Sequence, residues 1–383
     1  MNIYLDHAAT TATAPEVVRE IEPLFREHYG NPSSLHRMGV DAERYIKESR
    51  KRISEAIHAS EREIFFTSGG TESNNLAIKG ALSKYRNGRI ITTAVEHPSV
   101  LNVFKGLASK GFEVIFLPVS EEGRVRIEDL DEVLTDEVRL VSMMYVNNET
   151  GAIQPVEAVA KRIKAVNEKI IFHIDAIQAF GKLAIDVKTL GCDLLSLSGH
   201  KIGGVKGSGA LYVRNGVHLS PIFDGGGQEN KVRPGTENVI GITAFGKAAE
   251  LAEAHREAAY NKTAAIKEAL VRVLKQEPYI KINGAPEKDS PFILNVSFEG
   301  VRGEVFLHAL EMEGIYVSTG SACNSKKEQY SHVLEAMHLS DSEKLGAIRM
   351  SFGYDETVDF NPEEVGRVLI KTAEMLRKMT KKR

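Results

Sequence analysis

Short apolar runs alternate with amphipathic stretches from about residue 60 to residue 215. Runs at 64–67, 90–94, 114–119, 140–145, 170–174, 194–197 and 210–213 read as strands, and stretches such as 74–85 and 156–166 read as helices between them. This alternation predicts an α/β fold, a mainly parallel sheet of seven strands covered by helices. A long helical pattern follows over 240–275, rich in Ala, Glu and Lys and free of Pro, so it links two units. Beyond it, 293–298, 315–318 and 347–352 read as strands and 304–312 and 362–378 as helices, a smaller α+β unit. The expected division is a large domain over 15–259 and a small one made of 1–14 with 260–383.

Composition narrows the function classes. The chain has 383 residues and a net charge of −3, with its basic residues scattered, so nucleic-acid binding is not expected. The Lys-rich end, 378–383, reads as a frayed solvated tail. No apolar run reaches membrane-spanning length, and the first residues lack a basic stretch followed by an apolar one, so no membrane anchor or secretory signal is expected. Only two cysteines occur, too few for a disulfide framework and without a Cys-x-x-Cys pair, which fits a reducing, cytoplasmic setting. Cys192, beside an apolar strand, reads as a small buried hydrophobe. Cys323, in the small polar loop Ser318-Thr319-Gly320-Ser321-Ala322-Cys323-Asn324-Ser325, reads as an exposed, reactive thiol.

Polar residues gather at strand ends, where ligands lie in open α/β sheets. Ser196-Leu197-Ser198-Gly199-His200-Lys201 puts one lysine just past an apolar run, a position suited to a Schiff base with pyridoxal 5'-phosphate (PLP). Phe66-Thr67-Ser68-Gly69-Gly70-Thr71 runs from a strand into a helix start, where free backbone N–H groups favour a phosphate or simply form a capped turn. His97, after the 90–94 strand, can stack on a heteroaromatic ring or be structural. Asp175, in His173-Ile174-Asp175-Ala176-Ile177-Gln178, can pair with a protonated pyridine nitrogen or with a structural cation, and Gln178 can donate to a phenolic oxygen. Arg349 offers the two parallel N–H groups that grip a carboxylate, and Asn148 is placed to reach the same ligand. No metal site is expected.

Together these segments resemble the class V aminotransferase-type PLP enzymes, fold type I, and among them the cysteine desulfurases of the NifS/IscS kind. The resemblance extends from Tyr4-Leu5-Asp6-His7-Ala8-Ala9-Thr10-Thr11 through Tyr29-Gly30-Asn31-Pro32-Ser33-Ser34-Leu35-His36 to the Arg349 segment, nearly the whole chain. It implies that Lys201 carries the Schiff base, Asp175 pairs with the pyridinium, His97 stacks on the ring and serves catalysis, and Gln178 contacts the phenolic oxygen. It also implies that Gly70, Thr71, Ser198 and His200 hold the phosphate, helped by Thr236 of Arg233-Pro234-Gly235-Thr236 reaching across a homodimer. Asn148 would touch cofactor and substrate, and Arg349 the substrate carboxylate. Cys323 would take sulfur from L-cysteine as a persulfide, leaving L-alanine, and pass it to an acceptor protein such as an iron–sulfur scaffold or a tRNA-thiolation enzyme.

Two positions depart from the family pattern: Asp224 stands where His is common before Gly225-Gly226-Gly227-Gln228, and Asn324 follows the cysteine in place of Thr or Ser. Selenocysteine lyase, or another class V lyase or aminotransferase, is the neighbouring alternative. The Ser198-x-x-Lys201 spacing also occurs in penicillin-recognising acyl enzymes, but there it opens a helix, whereas this Ser closes an apolar strand.

Overall fold

The structure is a computed structural model that describes residues 2–319, 330–353 and 360–380. Its strands in chain order are β1 (Ile3–Tyr4), β2 (Ile64–Thr67), β3 (Gly88–Thr93), β4 (Phe112–Leu117), β5 (Val138–Met144), β6 (Ile171–Asp175), β7 (Leu194–Ser198), β8 (Gly209–Val213), β9 (Ile280–Asn283), β10 (Ile293–Phe298), β11 (Ile315–Tyr316) and β12 (Ala347–Ser351). Seven of them form one sheet in the order β2-β8-β7-β6-β5-β3-β4. All are parallel except β8, which runs antiparallel to both β2 and β7. The Gly-rich connection from β7 to β8 holds only a 3-10 turn, Gly199–Lys201, too short for the crossover that a parallel neighbour needs.

The sheet is buried on both faces, which explains its continuous apolar runs. Side chains of a strand alternate between faces. Ile64 and Phe66 of β2, Val141 and Met143 of β5, and Leu195 and Leu197 of β7 join one apolar cluster. Phe65, Leu140 and Leu194 join another on the opposite face. The helix Val239–Leu274 covers the first face against the helix Arg37–Ala56. A Cβ at Gly246 would lie 2.6 Å from the Ser49 backbone, so glycine is what lets these two helices approach. Asn238 starts the long helix by accepting the Gly241 N–H at 3.0 Å.

The same helix reaches a further apolar cluster. Its later residues Ile266, Leu270 and Leu274 pack with Leu5, Val296, Phe298, Phe306, Ile348 and Leu369. Here β9, β10 and β12 make an antiparallel three-stranded sheet, and β1 pairs in parallel with β11. The first residues of the chain are therefore built into the body formed by the last hundred or so.

Four features differ from the sequence pattern. The helix Arg37–Ala56 and β9 carry no run that the apolar pattern singled out. The strand expected over 315–318 shrinks to two residues, although Ser318 still pairs with Arg349 through a bridge. The helix expected from residue 74 starts at Gly70, one turn earlier, because its first turn is polar and faces a cavity.

The apolar cluster reached by Ile266, Leu270 and Leu274 rests on aromatic packing: Phe298 is fully buried, with its ring edge-on to Phe306 at 4.7 Å between centroids. Phe298→Ala should cost about 3–5 kcal/mol, the range for a buried Phe that leaves a cavity. Urea unfolding monitored by circular dichroism checks this, and an unchanged midpoint would contradict the packing role.

Candidate active site

The parallel strands all end at one edge of the large sheet, and the last residues of β5, β6 and β7 close on a cavity of about 320 Å³. Asp175 comes from the end of β6, Ser198 from the end of β7, and His97 and Asn148 from the loops after β3 and β5. Gly70 and Thr71 open the helix Gly70–Leu82, His200 and Lys201 sit in the turn after β7, and Arg349 reaches in from β12. Gln178 completes the set. Thr236 does not join it; it is exposed on a separate depression with Ser68, Gly207 and Arg233. Cys323 and Asn324 lie outside the described residues.

Asp175 forms the floor. Its Oδ2 accepts from Asn74 Nδ2 at 2.8 Å and its Oδ1 from the Ile177 N–H at 3.1 Å. Burial pushes this carboxyl above its ordinary range, opposed by His97 and by the hydrogen bonds. Asn74 Nδ2 also donates to Ser99 Oγ at 2.8 Å, and that hydroxyl lies 2.8 Å from His97 Nδ1. The Ser99 N–H donates to the same ring nitrogen at 3.1 Å as His97 caps the helix Pro98–Ala108. Nδ1 is thus an acceptor, and a neutral His97 carries its hydrogen on Nε2. Burial lowers the pKa of His97, which favours that neutral form.

Lys201 and Gln178 converge on the chain's N-terminal segment. Lys201 Nζ donates to the carbonyls of Ala8 and Ala9 at 2.6 and 2.7 Å, and Gln178 Nε2 donates to the Ala8 carbonyl at 2.9 Å. Thr11 Oγ1 donates to the His200 carbonyl at 3.0 Å and accepts from the Gly203 N–H at 2.8 Å, which clamps the lysine turn. His200 Nδ1 lies 3.2 Å from Thr10 Oγ1, and burial beside Lys201 lowers its pKa to about 4, so it is a neutral hydrogen-bonding group near pH 7.

Around Gly70 the wall is open to an anion. Gly69 has φ +148°, a conformation that favours glycine, and a Cβ on Gly70 would collide with Ile177. Ser198 Oγ beside this turn is buried and has no hydrogen-bond partner among the described residues. A buried carboxylate on the floor, an orphaned hydroxyl beside a helix start and a lysine at the wall suit a ring with a cationic nitrogen, a phosphate and an aldehyde. The donor set therefore fits PLP.

At the far side Arg349 Nη2 donates to Asp6 Oδ1 at 2.6 Å and Nη1 to the Asn148 carbonyl at 3.0 Å, while its Nε is buried without a partner. Glu149 accepts from Ser331 Oγ, and burial pushes its carboxyl up to about 7 despite that bond and nearby Arg349. Cys192 is buried, as its apolar surroundings predict, and burial pushes its thiol up, away from reactivity. Among the described residues no group of three or more His, Cys, Asp or Glu side chains could hold a metal, and no helix is long and apolar enough to cross a membrane.

Several site residues carried no signal of their own in the sequence: Asp6, Asn74, Ser99, Glu149, Lys182 and His332. Asn74 had the best available clue, a polar residue on the apolar face of a helix.

This fold, with a lysine, an aspartate, a histidine and an arginine drawn to one sheet edge, defines a class. Residues 3–360 match the family described as aminotransferase class-V, and the chain belongs to that family of PLP-dependent enzymes. Relatives within the family include cysteine desulfurases. The cysteine desulfurase IscS of Clostridium botulinum is 42% identical over 381 residues, 97% of this chain and 96% of that one. That of Methanosarcina thermophila is 43% identical over 379 residues, 98% of this chain and 92% of that one. Among solved structures, a NifS-like protein superposes with a TM-score of 0.90 at 37% identity, covering 98% of this chain and 99% of that one. A NifS-like protein from Rickettsia africae does so with a TM-score of 0.85 at 32% identity, covering 99% and 100%.

Glu96 braces this site from behind His97. It is fully buried, and its Oε1 accepts from Thr93 Oγ1 at 2.7 Å and the Met144 N–H at 2.9 Å. Burial pushes its carboxyl up to about 8, so the native chain keeps a proton that the unfolded chain has already shed. Stability from this group is full below the unfolded pKa and declines as pH rises through the folded value. Glu96→Gln should lose that decline and gain on the parent between pH 5 and pH 8.5. Thermal melts at both values check it; parallel profiles would contradict it.

Proposed function

We propose that this enzyme is a PLP-dependent cysteine desulfurase that acts on L-cysteine and retains its sulfur on Cys323. The observation that carries the reading is the meeting of Lys201, Asp175, His97 and Arg349 around one cavity in a chain of this family. PLP bound there would draw electron density from the substrate's Cα and loosen the bond to its Cβ substituent. Asp175 would keep the ring nitrogen protonated, since a buried carboxylate beside a cation gains more than one left alone. His97 would lie against the ring, held in one orientation by Ser99. Ser198 Oγ, the Gly70–Thr71 N–H groups and His200 would take the phosphate, with Thr236 of a second subunit in a homodimer.

Arg349 would hold the substrate carboxylate. Its free Nε–H is one donor, and the arms now on Asp6 and the Asn148 carbonyl fix the plane of the fork. Lys201, released from the cofactor, would move the Cα proton. The thiolate of Cys323 would form an S–S bond to the substrate sulfur as the Cβ–S bond breaks. That bond's electron pair stays with the carbon fragment, which takes up a proton and leaves as alanine. The residues that flank the segment bearing Cys323 support this placement, because Ser318 before it and His332 after it both line the cavity. A carrier role follows: the persulfide would pass to an acceptor protein, such as an iron–sulfur scaffold or a tRNA-thiolation enzyme, in the cytoplasm.

Cys323→Ala should keep the cofactor's visible absorbance and lose protein persulfide and alanine formation. Alanine release at the parental rate in that variant would reject the thiol assignment. Arg349→Lys should raise KM for cysteine by roughly ten-fold or more with the absorbance intact, since a charge-assisted hydrogen bond is worth about 1.5–3 kcal/mol. An unchanged KM in steady-state assays would place the carboxylate elsewhere.

A further inference from the structure

Behind Lys201 lies a second buried lysine that the reaction above does not use. Lys182 is 3% exposed, and its Nζ donates to Gln178 Oε1 at 2.9 Å. Among the described residues no carboxylate acts on it. The charged groups that act on it are Lys201, from the turn after β7, and Arg349, from β12, both cations. The ring of Phe292, just before β10, lies 5.8 Å from its Nζ. A buried amine in such company is costly, and packing alone would be served by Met or Leu.

Its contact has a directional consequence. Gln178 has one acceptor end and one donor end, and an amide can be turned either way unless its neighbours decide. Here both neighbours decide alike. Protonated, Lys182 can only donate, so it takes Oε1; the Ala8 carbonyl can only accept, so it takes Nε2 at 2.9 Å. The same carbonyl also receives Lys201 Nζ at 2.6 Å. Lys182 thus donates to Gln178, and Gln178 and Lys201 both donate to the Ala8 carbonyl.

We propose that Lys182 is a positioning residue that holds the Gln178 amide with its NH₂ group toward Ala8 and the Lys201 end of the cavity. The inference rests on the PLP reading above, in which the second N–H of Gln178 meets the phenolic oxygen of the cofactor. Burial and the two cations lower the pKa of Lys182 to about 7, and a neutral amine can still donate to Oε1. With the Ala8 carbonyl fixing Nε2 at the other end, the same orientation is available on both sides of neutrality.

A phenolic oxygen that loses an oriented donor holds the proton it shares with the Lys201 nitrogen more tightly. In the holoenzyme loaded with PLP, Lys182→Met should therefore shift the pH titration of the cofactor's visible absorbance upward, and Lys182→Arg, which also only donates, should restore it. In a Gln178→Leu background the Lys182→Met change should produce no further shift. Superimposable titrations of parent and Lys182→Met would overturn the proposal. So would an equal shift in the Gln178→Leu background, which would mean that the lysine acts by charge alone. If the Met variant does not fold, Lys182→Gln carries the test, because it can face Gln178 with either end and should shift the titration in the same direction. A parent protein that binds no PLP would instead reject the functional reading, a result visible before any variant is made.

Discussion

A carboxylate buried at the end of a strand must find positive charge or stay protonated, and Asp175 sets that condition for the whole site. Its two oxygens use Asn74 and the Ile177 N–H, both neutral donors. These satisfy its lone pairs without cancelling its charge, and burial still disfavours the ionised form. The arrangement is therefore completed only by a cation in the cavity. A protonated heterocycle supplies one, and the surrounding bonds ensure that it meets a carboxylate with one orientation. Asn74 passes the same order on to Ser99 and from there to His97, so floor and wall are set by one network and not by separate contacts.

The chain's first dozen residues are the second constraint. Asp6 holds Arg349, the Ala8 and Ala9 carbonyls hold Lys201 and Gln178, and Thr10 and Thr11 hold the His200–Gly203 turn. This segment is anchored by β1 on β11 and by Leu5 in the apolar cluster around Phe298 and Ile348. Contacts that orient the lysine thus depend on packing in the part of the molecule farthest along the chain. A purely local reading of the lysine turn would miss this, since the Thr11–His200 contact spans 189 positions.

What was legible in the sequence follows from the same physics. Strands buried on both faces write themselves as apolar runs, so all seven strands of the large sheet were visible, as were the long helix and the strand-end positions of Asp175, Ser198 and His97. The direction of β8 was not, because it depends on the length of a loop and not on periodicity. The helix Arg37–Ala56 was missed because its mean composition is polar and only a narrow stripe, Ala42, Ile46 and Ile53 among it, faces the core. Asn74, Ser99 and Lys182 were illegible for another reason. Their roles exist only in relation to partners on other elements, and a single polar letter does not state its partner.

The charges around the cavity show why the site suits an anionic ligand with one cationic atom. Two cations, Lys201 and Arg349, line the cavity and a third, Lys182, is buried against its residue Gln178, while Asp6 and Asp175 are the lining carboxylates tied into the network and burial favours the protonated form of Glu149. Lys182 feels Lys201 and Arg349 as a penalty added to its burial, and burial together with Lys201, Lys206 and Lys182 pushes His200 to neutrality. In the proposed reading, a phosphate at the Gly70 turn and a carboxylate at Arg349 would offset this excess, and a ring nitrogen over Asp175 would answer the place where the excess is negative. The charge pattern is thus the complement of a zwitterionic ligand with two anionic ends, and hydrogen bonds to neutral side chains, Asn74, Ser99 and Gln178, fix its direction without adding charge.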